Sequence, residues 1–281
     1  MDDPNSPALE PPSNSVPASA IPLDAASGGA TLTLRDDRLD FSGFGDAAAS
    51  CRRRDARLRL IDQGRFTAVE LEWLAEAGTD IYTSDRARSA LAEFIQVRKA
   101  ARRGGAWAVY FHHGPLEDEE RPRSVSWEAL REMLRSGLDL HISNGAAARD
   151  FERLGTLADD AKAGGARLVY YHHGAPAAEL ETLARRGAWI HVRAVEAAGE
   201  EPIRRLAEYA GAARAAGSQV IVHVEQRPHP SGLSDLLDAG AIVLFRTPPS
   251  DFRSPLRPLE ERARTRRLDP RAFYLFPDYV L

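Results

Sequence analysis

The sequence predicts a parallel α/β fold, a closed (βα)8 barrel, and three observations predict it. From Asp55 onward, short apolar runs rich in β-formers alternate with helical patterns. The alternation falls into four like units of strand, helix, strand and helix, each roughly 50 to 60 residues long. In every unit the first helical pattern closes on glycine, the residue favoured just past a helix C-terminus.

Taken in chain order, residues 1–28 are rich in Pro, Ser and Ala and lack periodicity, which predicts a disordered tail. Residues 29–54 contain "ATLTLRDDRLDF", Ala30 to Phe41, which reads as a hairpin or a cap. Residues 55–281 hold the barrel. The first strand of each unit lies in "DARLRLIDQG" from Asp55, "GAWAVYFHHG" from Gly105, "GARLVYYHHG" from Gly165 and "GSQVIVHVEQ" from Gly217. Each is a continuous apolar run, as a strand covered on both faces requires. The helices that follow read "AVELEWLAEAG", "WEALREMLRSG", "AELETLARRG" and "LSDLLDAG". The second strands lie in "TDIYTSD" from Thr79, "LDLHISN" from Leu138, "AWIHVRA" from Ala188 and "AIVLFRT" from Ala241, with longer helices after them. An open doubly wound sheet is the rival architecture, but its crossover breaks the internal symmetry seen here.

The pattern resembles the TIM-barrel superfold as a whole, over about Asp55 to Phe276, and points to no particular family within it. That resemblance implies chemistry at the C-terminal mouth of the barrel.

Composition narrows the function. With 37 Lys and Arg against 41 Asp and Glu, the net charge is −4, and no basic stripe offers itself to nucleic acid. No apolar run reaches the length of a membrane span, and the acidic start, Met1-Asp2-Asp3-Pro4, lacks the features of a signal peptide. A single cysteine, Cys51, makes an internal disulfide impossible, and the expected setting is cytoplasmic. A homo-oligomer is compatible with this composition.

Strand alternation then sorts the eight histidines. The doublets "YFHHG" and "YYHHG" occupy equivalent places in two units. His113 and His173 share a column with Gln63 and Glu225 and face the axis near the mouth. His112 and His172 face the helices or lie under a loop. Beneath the first layer come Ile61, Phe111, Tyr171 and His223. The intervening strands contribute Ser84, Ser143, Arg193 and Arg246, with Tyr82, His141, His191 and Leu244 below them. An inert barrel fills such layers with Val, Ile and Leu, because burying imidazoles and guanidiniums costs free energy unless they are paired.

Imidazoles converging with a carboxylate suit a divalent metal, zinc, iron or manganese, and His113, His173 and Glu225 form the best ligand set. His141, His191 and His223 stand behind them as orienting or alternative groups. The metal-free version makes His113 or His173 a general acid/base with Glu225. In both, Gln63, Ser84, Ser143 and Tyr82 line the substrate site, and Arg193 and Arg246 grip a small polar or anionic molecule. Hydrolase or lyase chemistry assisted by a metal, acid/base isomerase or lyase chemistry, and a non-catalytic binding barrel are the three readings. Lys99 and Lys162, the only lysines, sit near helix C-termini, which excludes Schiff-base aldolase chemistry on a strand lysine. The fourth strand ends Asn144-Gly145, without the carboxylate that a two-carboxylate glycosidase needs there.

Overall fold

The computed structural model describes residues 31–116, 125–145, 148–193, 200–224, 229–245 and 249–265. The expected disordered tail, residues 1–28, lies outside them.

The chain alternates strand and helix throughout: β1 (Thr31–Arg35), α1 (Phe41–Arg53), β2 (Arg57–Ile61), α2 (Ala68–Glu76), β3 (Asp80–Ser84), α3 (Leu91–Gly104), β4 (Ala108–His112), α4 (Trp127–Arg135) and β5 (Asp139–Ser143). It continues with α5 (Phe151–Gly164), β6 (Leu168–His172), α6 (Glu179–Arg185), β7 (Trp189–Arg193), α7 (Glu200–Ala215), β8 (Val220–Val224), α8 (Pro230–Ala239), β9 (Ile242–Phe245) and α9 (Arg257–Thr265). The strands form one sheet in sequence order, every neighbouring pair parallel. The eight expected strands are β2 to β9.

The described part of the segment 29–54, from Thr31 on, differs from the expected hairpin or cap. Thr31–Arg35 pairs in parallel with Arg57–Ile61, and Phe41–Arg53 is a helix, so the described sheet has nine strands rather than eight. Asp40 accepts a hydrogen bond from the Gly43 N–H and caps α1, and that helix start removes the turn a hairpin would need. Among the described residues the ladders run from β1 to β9, and none joins β9 back to β1.

Two apolar clusters divide by strand parity. Leu60, Ile81, Tyr110, Leu140, Ile142, Tyr170, Ile190 and Val222 join residues of the helices. Ile61, Tyr82, Val109, Phe111, Val169 and Tyr171 form a second cluster made of strand residues alone, with Trp189 against it. A parallel sheet with all its helices on one face would leave the other face wet if it stayed flat. Here that face is dry: Tyr171 is 0% exposed, and Tyr82 and Phe111 are 2% exposed. The sheet therefore curls around its own side chains, which is the barrel architecture.

The ends of the helices are set by local chemistry. Thr67 and Glu70 form a reciprocal capping box at the start of α2. Gly105 and Gly165 follow α3 and α5 with φ of 67° and 66°, closing both helices in the left-handed region. The preceding residues have a different task. A Cβ on Gly104 would lie 2.3 Å from the Ala75 carbonyl oxygen, and one on Gly164 would lie 2.1 Å from that of Leu134. Those two glycines let consecutive helices touch, backbone to backbone.

Gly104→Ala is expected to destabilise the protein by about 2 kcal/mol or more, because the clash is with rigid backbone. Gly105→Ala meets open space and is expected to cost about 1 kcal/mol for its positive φ. Urea unfolding of both variants checks the order; equal losses would contradict the close-approach argument.

Candidate functional site

The mouth of the barrel is built where β3, β4, β5 and β6 end, and acidic or amide side chains there hold the histidine doublets. Asp85 follows β3. Its Oδ2 accepts the backbone N–H groups of His113 (2.9 Å) and Gly114 (2.8 Å) and lies 3.0 Å from Nδ1 of His112. Asn144 follows β5 and does the same work for the second doublet: its Oδ1 accepts the His173 N–H (2.7 Å), and its Nδ2 donates to the His173 carbonyl (2.9 Å).

The outward histidines are structural. His112 and His172 are buried, and Nε2 of each reaches a carbonyl three residues on, that of Pro115 (3.2 Å) and that of Ala175 (2.9 Å). They tie down the loops after β4 and β6, as strand parity anticipates. Gly114 is needed for space: a Cβ there would lie 3.0 Å from Cε1 of His112. Arg149 completes the arrangement. Only 8% exposed, it donates to the carbonyls of Ser143 (2.7 Å), His113 (3.2 Å) and Gly114, joining the ends of β4 and β5.

His113 is different. Its ring stacks over inward-facing Phe111, centroids 6.5 Å apart and planes 11° apart, so it faces the axis. Its Nε2 is buried and has no hydrogen-bond partner. Burial pushes its pKa below the ordinary histidine value, with only partial compensation from the Asp85 carboxylate nearby. Asp85 moves the other way. Burial alone would raise it, but His112 beside it and the Gly114 N–H outweigh that and hold the carboxyl below the usual range. A neutral imidazole with an unpartnered Nε2 thus stands next to an ionised carboxylate.

Below this level runs a belt of aromatic and imidazole rings. Phe111 packs on His141 (4.7 Å between centroids), and Nδ1 of His141 lies 2.9 Å from the Tyr171 hydroxyl. Tyr171 packs on His191 (4.5 Å), whose Nδ1 lies 2.9 Å from Nε2 of His223. All three histidines are at most 3% exposed. Burial drives His141 down to about 3 and His191 well below its ordinary value, so both stay neutral. Sequence parity placed them inward; the structure gives them partners within the core.

Of the other expected site residues, Ser84 and Ser143 are buried at the ends of β3 and β5, and the Ser143 hydroxyl accepts the Gly145 N–H. Tyr82 is buried with the Arg59 guanidinium 4.9 Å above its ring. Arg193 is half-buried at the end of β7. Nε2 of His173 packs against Gly145, within 3.0 Å of where a Cβ would sit. Gln63, past the end of β2, is exposed, and its amide donates to the Asp62 carbonyl. Glu225 and Arg246 lie outside the described residues, so the expected set of His113, His173 and Glu225 is represented by its histidines. Among the described residues, no three His, Cys, Asp or Glu side chains come together as metal ligands.

Two further acidic groups escaped the sequence reading. Asp36 follows β1, is 0% exposed, and accepts the N–H groups of Gln63 and Arg65, each at 2.9 Å. Burial raises its pKa, and the charge of neighbouring Asp62 adds to the rise. Asp62 itself is held by the Thr83 hydroxyl (2.6 Å) and by Arg88. For Asp85 and Asn144 the signal lies in the repeat: "TSD" and "ISN" both end in a residue able to clamp the next strand's doublet.

No family model matches the chain, and no curated protein matches it in sequence. Solved structures similar to it include the 3-dehydroquinate dehydratase from Aquifex aeolicus VF5, 14% identical over 85% of this chain and 98% of that one, TM-score 0.38. The 3-dehydroquinate dehydratase from Enterococcus faecalis is 13% identical over 86% and 95%, TM-score 0.38. Orotidine 5'-monophosphate decarboxylase from Methanocaldococcus jannaschii is 12% identical over 74% and 96%, TM-score 0.32. The fold assignment rests on the ladders and the two-sided burial described above. No helix among the described residues is long and apolar enough to cross a membrane.

The belt predicts a pH dependence. His141 binds a proton more weakly in the folded state, so its contribution to stability is full above about pH 6.5 and is lost as pH falls toward 3. Each such group adds up to about 1.4 kcal/mol per pH unit to that slope. His141→Gln, which keeps a partner for Tyr171, should flatten urea stability measured between pH 7 and pH 4; an unchanged slope would contradict a buried neutral imidazole. Asp36 has the opposite sign, because its raised pKa means stability is lost as pH rises through it. Asp36→Asn should therefore gain on wild type between pH 4 and pH 7, and a constant difference would show that Asp36 does not titrate there.

Proposed function

We propose that the mouth is the active site of an enzyme that acts on a small polar or anionic molecule, with His113 as general acid/base. The observation that carries this reading is the Nε2 of His113, buried, unpartnered and on a neutral ring, directed to the axis at the mouth. A core histidine gains by pairing its ring nitrogens, as His141 does with the Tyr171 hydroxyl and as His191 and His223 do with each other. An imidazole left open suits proton transfer, which asks for a group uncharged near neutral pH and within reach of substrate.

The other roles follow from position. Asp85 fixes the backbone under His113 and supplies the nearby negative charge that stabilises the imidazolium formed when His113 takes a proton. Arg193 at the end of β7, with Arg246 after β9 in the sequence, would grip the anionic group, and Ser84 and Ser143 line the floor. His173 and Glu225 are the partners for returning the proton. The reaction class is isomerisation or elimination next to a polarised group, which needs a base and an acid but no oxidant.

The same unpartnered Nε2 also suits a divalent metal, and this keeps the metal-assisted hydrolase or lyase as a second reading. Its ligands would be His113, His173 and Glu225, with zinc, iron or manganese as the metal. A bound metal would polarise the substrate or activate a water there.

The test is turnover of a panel of small carboxylate, phosphate and polyhydroxy compounds by the full chain, repeated with His113→Gln and with chelator. The acid/base reading predicts a loss of about 100-fold or more in His113→Gln, with chelator harmless and unfolding unchanged. Loss of both turnover and bound metal on chelation would transfer the site to the metal reading. Turnover of no compound, or full activity in His113→Gln, would overturn the proposal and favour a binding barrel.

A further inference from the structure

At the end of the barrel opposite the mouth, a cavity of about 380 Å³ opens where the starts of β4 and β5 meet the last turns of α3. Three arginines, Arg98, Arg102 and Arg167, line it with a single acidic residue, Asp139. Arg98 and Arg102 stand one helical turn apart on α3, a spacing at which like charges repel. Neither side chain has a hydrogen bond or ion pair with any described residue. Arg98 is half-buried and lies against Gly137, where a Cβ would come within 2.9 Å of its guanidinium. Burial and the charge of Arg102 depress its pKa, opposed only by Asp139.

The neighbouring strands show what an occupied version looks like. Asp80 at the start of β3 accepts the Trp107 N–H (2.9 Å) and binds Arg57 through two hydrogen bonds, 2.7 and 3.1 Å. Asp139 at the start of β5 accepts the Arg167 N–H (2.8 Å) in the same way. Where β2 begins with Arg57, however, the corresponding residue ahead of β4 is Trp107. Its ring holds the Arg167 guanidinium at 4.8 Å, and Trp189 holds the other side at 4.8 Å. Arg167 is thereby fixed at the cavity wall, 3.8 Å from Asp139 through Nε. One immobilised cation and two without a hydrogen bond or ion pair to any described residue share a cavity in the size range of small-molecule sites, roughly 300–1,000 Å³.

We infer that this cavity is a second site, separate from the mouth, that binds a small multivalent anion bearing phosphate or carboxylate groups through Arg98, Arg102 and Arg167. Guanidiniums suit both groups because their paired N–H donors match two oxygens at once. An anion there would relieve the repulsion between Arg98 and Arg102 and stabilise the folded chain by mass action.

The test uses the full chain with pyrophosphate and citrate as probes, read by calorimetry and thermal unfolding at ionic strength held constant with sodium chloride. Saturable binding and a rise in Tm are expected, and the tighter probe identifies the preferred group. R98Q/R102Q should lose affinity at least tenfold, while its Tm without anion equals or exceeds that of wild type because the repulsion is gone. Arg103→Gln, which removes a cation already paired with Glu76, should bind as wild type does. Should the double variant fold poorly, Arg102→Gln alone, at an exposed position, should still lose affinity several-fold. Equal Tm shifts in wild type and the Arg98/Arg102 variants, or a shift reproduced by sodium chloride, would overturn the inference.

Discussion

A parallel sheet that carries every helix on one face has to find cover for the other, and the remaining features of this protein follow from how it does so. The outward residues of β2 to β9 pack under helices. The inward residues have only one another, so the sheet curls until Tyr82, Phe111 and Tyr171 meet. That enclosure desolvates whatever polar group a strand places inside. It is why His141 and His191 are held neutral, and why the belt from Phe111 to His223 is assembled from ring contacts and imidazole hydrogen bonds.

Enclosure also separates three tasks that look alike in sequence. Histidines inside the belt satisfy one another or Tyr171. Outward histidines of the doublets anchor loops through carbonyls. His113 has neither kind of partner at Nε2, although its backbone is tightly held by Asp85 and Arg149. A rigid support under an unpartnered imidazole is what the proposed role of His113 asks of the structure. At the opposite end the same contrast recurs in charge: Arg57 is spent on Asp80, whereas Arg98 and Arg102 are not spent.

Much of this was legible in the sequence because strand alternation is local. The parity of "VYFHHG" and "LVYYHHG" alone turns His112 and His172 outward and Phe111 and Tyr171 inward, and the structure agrees. What escaped depends on contacts between distant segments. Asp85 and Asn144 clamp backbone groups 28 and 29 residues away; the repeat sets them in like positions, but which distant N–H each one meets is decided by the fold. The segment "TLTLRDD" has the alternation of a strand, but its partner is set by the fold: it pairs in parallel with β2, and the chain after it turns into α1 behind the Asp40 cap.

The most direct test of this account is the protonation of His113 itself. Heteronuclear NMR of imidazole-labelled protein can follow each of the eight histidines through a pH titration. The account predicts that His113 titrates below the ordinary value of 6.5 and rests as a neutral ring at pH 7. In Asp85→Asn it should fall further, since the carboxylate that favours its protonated form is gone. A His113 that titrates at or above 6.5, indifferent to Asp85, would contradict the central claim that enclosure leaves an uncharged, available imidazole at the mouth.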